Sequence, residues 1–174
     1  MPVNKIVIAV SSCLLGHKVR YDGNDKRNLM VENQLCNYFD CRPVCPEYAA
    51  GLGVPRAPIH VVKIGSDVRA VGTANNAFDV TDLLEQYADY LGKAIPQLCG
   101  YVFKARSPSC GLVDVPIYNN LGNQINVGSG IFASQIHRNM KTLPVIDEIQ
   151  LAQPQGLRDF IQEVERYSRS LACH

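Results

Sequence analysis

Residues 5–10 read KIVIAV (Lys5 to Val10), an unbroken apolar run rich in β-branched side chains. A strand with one wet face alternates polar and apolar residues. A continuous run is how a strand reads when both of its faces are buried, as in a parallel sheet. The neighbouring sequence agrees. Ser11 to Asp25 is polar and glycine-bearing, hence a loop, and Arg27 to Tyr38 carries a helical pattern. CRPVC (Cys41 to Cys45) reads as a second short strand, and PEYAAGLGVPRAP (46–58) as a loop with one helical turn. His60 to Gly72 is two short runs around Gly65-Ser66-Asp67, the pattern of a hairpin. Asp79 to Leu98 sets Leu83, Leu84, Tyr87, Tyr90, Leu91, Ala94 and Ile95 at helical spacing, with Asp79 or Thr81 as its cap. GYVFKA (100–105) is the next strand, and VPIYNNLGNQINVG (115–128) holds a turn around Asn120 to Gly122. A helix over Ser129 to Met140, a last strand at Leu143 to Ile146 and a terminal helix over Pro154 to Ser170 complete the chain. Arg158, Glu163 and Arg166 fall on the wet side of that last helix. Strands alternating with helices predict βαβ units. The expected class is α/β: one three-layer, Rossmann-like domain over residues 1–174, with a mostly parallel sheet and a small inserted hairpin.

Composition narrows what such a domain does. With 47% hydrophobic and 19% charged residues, the chain can bury a core and is not disordered. A net charge of +1 without a block of like charges argues against a large nucleic-acid interface. No apolar run approaches the roughly 20 residues a membrane helix needs, and the opening residues do not read as a signal peptide. The expected setting is cytoplasmic, with no membrane partner. The residue pattern does not specify an oligomeric state. There are 7 cysteines, an odd number and too few for a disulfide scaffold, so reduced thiols are expected.

Open parallel sheets bind ligands at the carboxyl ends of their strands, and that rule sorts the cysteines. Cys13 lies just after the first strand, Cys45 ends the second, and Cys110 is in the loop after GYVF. Cys41 and Cys99 begin strands and so belong to the opposite edge. Cys41 and Cys45 are four strand residues apart, roughly 13 Å at about 3.3 Å each, too far for one metal. Cys36 sits on a helix, and Cys173 at a terminus expected to fray. Three converging thiols suit a soft metal or an iron–sulfur centre, and three ligands on a cubane leave one iron open. The plainer alternative is three small buried hydrophobes.

The residues beside these cysteines are chemically apt. Glu47 follows Cys45 by two positions, where a carboxylate serves as acid or base, as a ligand, or simply as an exposed loop residue. Ser107 precedes Cys110 by three and can orient a substrate or water, or shape the turn before Pro108. Arg20, Tyr21 and Asp22 lie near Cys13, and Lys104 near Cys110, enough to cradle a polar ring. NVGSG (126–130) opens a helix whose free N–H groups suit an anion, with capping by Ser129 as the blander reading. The histidines at 17, 60, 137 and 174 show no metal-ligand spacing.

SSCLLGHKVRYDGNDK (11–26), CPEYAAGLGVPRAPI (45–59), FKARSPSCG (103–111) and GSGIFA (128–133) occur in this order. In that combination the chain resembles the thiouracil desulfidase (TudS-like) family over nearly its whole length. Ser12 stands where many relatives have alanine, and GVPR is a mild variant of their loop. The resemblance implies a single α/β domain carrying a [4Fe–4S] cluster on Cys13, Cys45 and Cys110, with the fourth iron free. It maps the family's acidic residue onto Glu47 and its motif serine onto Ser107. The implied activity is the non-redox removal of sulfur, as sulfide, from a small thiolated pyrimidine of the thiouracil or 4-thiouridine type. Arg20, Tyr21, Asp22, Lys104 and Ser129 are the expected substrate-binding residues. Some relatives carry a further domain and act on tRNA, so a small free substrate is expected for a chain without one. Two rival readings use the same thiols: a non-catalytic zinc- or cluster-binding redox module, and a metal-free enzyme with a cysteine nucleophile.

Overall fold

A computed structural model describes residues 5–172; Cys173 and His174 lie outside the described residues. Four strands form an all-parallel sheet in the order β2-β1-β5-β8. They are β1 (Val7–Ser11), β2 (Asp40–Val44), β5 (Leu98–Phe103) and β8 (Val145–Asp147). Every residue of β1 and β5 is buried, as their unbroken apolar runs require. Ile8, Val10 and Val102 face one side and pack on Phe160 and Val164 of α6 (Gly156–Ala172). Ala9, Tyr101 and Phe103 face the other side and meet α3 (Thr81–Ala94) and α4 (Ile131–Asn139) through Leu84, Leu91, Phe132 and Ile136. These are the three layers of a Rossmann-like α/β fold. Arg158, Glu163 and Arg166 lie on the exposed side of α6.

The hairpin expected at 60–72 forms from β3 (Ile59–Ile64) and β4 (Asp67–Gly72), but it is half of a larger unit. The turn expected around Asn120 to Gly122 forms and joins a second hairpin, β6 (Val115–Tyr118) and β7 (Gln124–Gly128). β3 pairs with β6 in parallel, so the two hairpins join into a second four-stranded sheet, β4-β3-β6-β7. No local pattern announces a pairing between strands so far apart in the chain.

Helix ends differ from expectation for local reasons. Asn28 Oδ1 accepts the Met30 and Val31 N–H groups, so regular helix begins after it. A π-helical turn, Val31–Leu35, then runs into α1 (Cys36–Tyr38). At the start of α3, Asp79 Oδ1 takes the Thr81 N–H at 2.9 Å, while the Thr81 hydroxyl accepts from Ala70 N at 2.8 Å and ties the helix to β4. The helix stops at Ala94 because Pro96 disfavours helical geometry at Ile95, and β5 starts two residues earlier than GYVF suggests. The last strand begins at Val145, after Pro144.

One cysteine expectation fails. Cys36 and Cys41 form a disulfide. The turn at Phe39 between α1 and β2 brings their Cα atoms to 5.4 Å, inside disulfide range. Cys13, Cys45, Cys99 and Cys110 are free.

Candidate metal centre

Cys13, Cys45 and Cys110 follow β1, β2 and β5, three strands that are neighbours in the parallel sheet. Cys13 sits in a 3-10 turn (Ser12–Leu15), and its carbonyl accepts the Lys26 N–H at 2.9 Å. Cys45 precedes the single turn α2 (Pro46–Ala49). Cys110 ends the Ser-Pro-Ser-Cys loop, where Ser107 Oγ accepts the N–H groups of Ser109 (3.3 Å) and Cys110 (3.0 Å). All three cysteines line one cavity of about 390 Å³ at the carboxyl rim. A larger groove, about 1300 Å³, lies at the opposite edge and borders Cys36, Cys41 and Cys99. Volume does not choose between the two; the thiols do, because one holds three free thiols with a carboxylate, and the other a disulfide, a single thiol and the carboxylates of Glu32 and Asp40, which are paired with Arg27 and Arg42.

Burial governs the trio's ionisation. It pushes the Cys13 thiol up to about 11, against the pull of Arg20 and Lys104. It also raises Cys45, against the N–H groups of Tyr48 and Glu47, and raises Cys110 well above the usual thiol range. Such thiols stay protonated at neutral pH until a cation supplies the missing charge. Among the described residues, no three His, Cys, Asp or Glu side chains crowd closely enough to share one metal ion. A cubane asks for less crowding, since each thiolate binds a different iron.

Glu47 lines the same cavity and is held from two sides. Arg56 Nε donates to Oε2 at 2.8 Å and Ser109 Oγ donates to Oε1 at 2.7 Å. Arg56 Nη1 also reaches the Val19 and Gly53 carbonyls at 2.8 and 2.9 Å. The pair is dry, with side chains 6% and 13% exposed. Neither Arg56 nor Ser109 has a role in the sequence reading, although both stand inside its motifs. Only the fold brings positions 47, 56 and 109 together.

The remaining expected residues divide. Ser107, Arg20, Tyr21 and Lys104 line the cavity. The Ser107 oxygen accepts two backbone N–H groups, so its own hydrogen is free to point elsewhere. Lys104 is less free: its ammonium contacts the Glu148 carboxylate and donates to the Ala105 carbonyl at 2.9 Å. Asp22 lies outside the cavity lining, in an exposed turn where Oδ1 accepts the Asn24 N–H at 3.1 Å. Ser129 neither lines the cavity nor caps α4, whose N-cap is Gly130. Its hydroxyl donates to the Leu112 carbonyl. The start of α4 is likewise no anion cradle, because Ile131 N and Ala133 N donate to the Pro108 and Ser109 carbonyls at 3.1 and 3.0 Å.

The class defined by fold and site is a Rossmann-like α/β protein with a thiol-lined cavity at the carboxyl rim of its parallel sheet. The sequence profile of the 2-thiouracil desulfurase family matches residues 8–148, and the chain belongs to that family. Among solved structures it is similar to a [4Fe-4S]-dependent thiouracil desulfidase, TudS, at 30% identity and a TM-score of 0.66. That match covers 91% of this chain and 99% of the other. A search of the curated proteins finds no match. No helix among the described residues is long and apolar enough to cross a membrane.

Proposed function

We propose that this protein is a [4Fe–4S]-dependent desulfidase that removes the sulfur of a small thiolated pyrimidine, of the thiouracil or 4-thiouridine type, as sulfide. Cys13, Cys45 and Cys110 are the cluster ligands in this reading. One observation carries it: three free thiols from adjacent strand ends share a cavity with a buried, doubly held carboxylate. The donor set fits, being soft sulfur ligands with no histidine or second carboxylate competing among the lining residues. Arg20 and Lys104 favour the ionised form of Cys13, and Arg56 that of Cys45.

A cluster held by three cysteines keeps one iron open and supplies a Lewis acid for the exocyclic sulfur. The chain does the rest. Glu47 takes a proton from the water that adds to the carbon bearing sulfur. Arg56 and Ser109 fix the carboxylate's direction. Ser107 turns its free hydrogen toward water or the pyrimidine, and Arg20 and Tyr21 wall the ring. The net change turns a thiocarbonyl into a carbonyl. One water supplies the oxygen and both hydrogens, the sulfur leaves with those hydrogens as hydrogen sulfide, and no electrons are exchanged. The test is anaerobic reconstitution with iron and sulfide, then sulfide release from 2-thiouracil and 4-thiouridine. Glu47→Gln keeps the bulk beside Arg56 and is expected to retain the cluster's absorbance while losing sulfide release. Release at the wild-type rate from that variant refutes the proton-transfer role.

A further inference from the structure

Glu148 reaches across the carboxyl rim to hold a residue of the cavity wall. It follows β8 directly and opens the single turn α5 (Glu148–Leu151), which Asp147 caps by accepting the Ile149 and Gln150 N–H groups at 3.0 and 2.8 Å. β8 runs parallel to β5 with Asp147 opposite Phe103, so the next residues, Glu148 and Lys104, leave the sheet side by side. The carboxylate then holds two groups. Oε2 accepts the Ala105 N–H at 2.8 Å, and Oε1 takes the Lys104 ammonium. The pair is almost dry, with side chains 18% and 13% exposed. Stability alone does not call for it, since apolar residues of similar volume often serve a fold as well as a buried ion pair.

The segment held there is strained. Arg106 has a φ of 58°, a left-handed value unfavourable for a residue with a Cβ. Such a conformation persists where the surroundings over-determine it, and it clusters at functional sites. Here Glu148 takes the Ala105 N–H and Asp114 takes the Arg106 N–H at 3.3 Å. The Lys104 N–H is fixed as well, to Ser11 Oγ at 3.0 Å. Its ammonium has three N–H groups. Glu148 and the Ala105 carbonyl use two, and the third has no acceptor among the described residues. Lys104 lines the cavity. Of the other cations there, Lys26 and Arg106 are exposed, and Arg56 is taken up by Glu47 and two carbonyls. A fixed donor with one free N–H suits a neutral ring bearing a carbonyl oxygen, and a thiouracil has one besides its sulfur.

We propose that Glu148 is a positioning residue for the desulfidase reaction, aiming the third N–H of Lys104 at the exocyclic oxygen that the thiolated pyrimidine keeps. This rests on the function proposed above. Lys104 touches the substrate, and Glu148 acts only through Lys104.

The experiment uses the anaerobically reconstituted enzyme and follows the loss of 2-thiouracil or 4-thiouracil, whichever reacts faster. The matching pyrimidine-2-thione or pyrimidine-4-thione, which lacks the second exocyclic oxygen, is added as a competitor. The ratio of its inhibition constant to the KM of the thiouracil measures the contribution of that oxygen. Neither constant depends on how many sites are loaded, so a purely structural loss of cluster leaves the ratio unmoved. The wild-type ratio is expected to be about tenfold or more, as for a hydrogen bond from a charged donor. Lys104→Met should lose most of that preference, Glu148→Gln should lose part of it, and the double variant should match Lys104→Met. Should Glu148→Gln not fold, Glu148→Asp, which withdraws the carboxylate by one methylene, carries the same expectation. A wild-type ratio in Lys104→Met overturns the proposal, and so does a wild-type ratio in the Glu148 variant. A double variant well below Lys104→Met also overturns it, for Glu148 would then act by another route. A reconstituted wild type that consumes neither thiouracil defeats the proposed function itself, a result distinct from all of these.

Discussion

Arg56→Met should be among the most destabilising single changes at the site, and the reason is electrostatic. The substitution leaves the Glu47 carboxylate without its counter-charge and held by Ser109 alone, at a side-chain exposure of 13%. It also strips a donor from the Val19 and Gly53 carbonyls. Removing one partner of a buried ion pair costs about 3–5 kcal/mol. With a urea slope of about 2 kcal/mol per molar, the unfolding midpoint should fall by roughly 2 M. Glu47→Gln keeps an oxygen for Arg56, offers an N–H to Ser109 Oγ and leaves Arg56 its two carbonyls, so its cost should be nearer about 1–3 kcal/mol. The double variant has neither charge. It should therefore be less damaged than the sum of its parts, by about 1–3 kcal/mol in a double-mutant cycle. Urea unfolding of all four metal-free proteins measures this. Additivity within about 0.5 kcal/mol, or an unmoved midpoint for Arg56→Met, would show that the pair is not the buried, mutually compensating unit described.

Gly130→Ala tests the support of the Cys110 loop. A Cβ there would sit 2.5 Å from the Ser109 backbone carbon and oxygen and 2.9 Å from Cys110 N. Backbone cannot yield as a side-chain tip does, so the loop must shift. A stability loss of about 1–3 kcal/mol and less iron retained on reconstitution are expected; wild-type values for both would sink the argument. Asp79 tests the joint between β4 and α3. Burial alone would raise its carboxyl, but Arg69 and Thr81 outweigh that and hold it below the ordinary 3.8. A depressed folded value means the contribution is present above 3.8 and is lost as pH falls through the folded value. The stability gap between wild type and Asp79→Asn should therefore close on acidification, and a gap constant across that range would contradict it.

What can be read from the residues is whatever burial writes into local pattern. β1 and β5 are legible because both faces are covered, and a strand's carboxyl end is a property of chain direction alone. That is enough to place Cys13, Cys45 and Cys110 on one rim. The disulfide is not legible, because the tight turn at Phe39 that joins Cys36 to Cys41 leaves no composition signal. The second sheet is hidden for a related reason: each hairpin is local, but the β3–β6 pairing is not. Glu47 can be nominated from its place after Cys45. Its two holders cannot, since Arg56 and Ser109 become its neighbours only when separate loops close over the same cavity.

Ser129 defeats a reading from sequence because a serine and glycines before a helix have the same composition whether they cap it, bind an anion or do neither. The structure separates these by what the helix's first donors touch. Gly130 N, Ile131 N and Ala133 N donate to the carbonyls of Gly111, Pro108 and Ser109. Gly111 N returns to the Ser107 carbonyl at 2.8 Å, and Ser107 Oγ takes the N–H groups of Ser109 and Cys110. The loop from Ser107 to Gly111 thus hangs from α4 by its own backbone, which explains both serines and the close approach at Gly130. Ser107 folds the turn, Ser109 is left to hold Glu47, and the cysteine between them and the glycine is presented from a backbone already tied down. A loop so braced can keep a thiol in place when it is ionised and when it is not, as a ligand that must bind a cofactor after folding has to do.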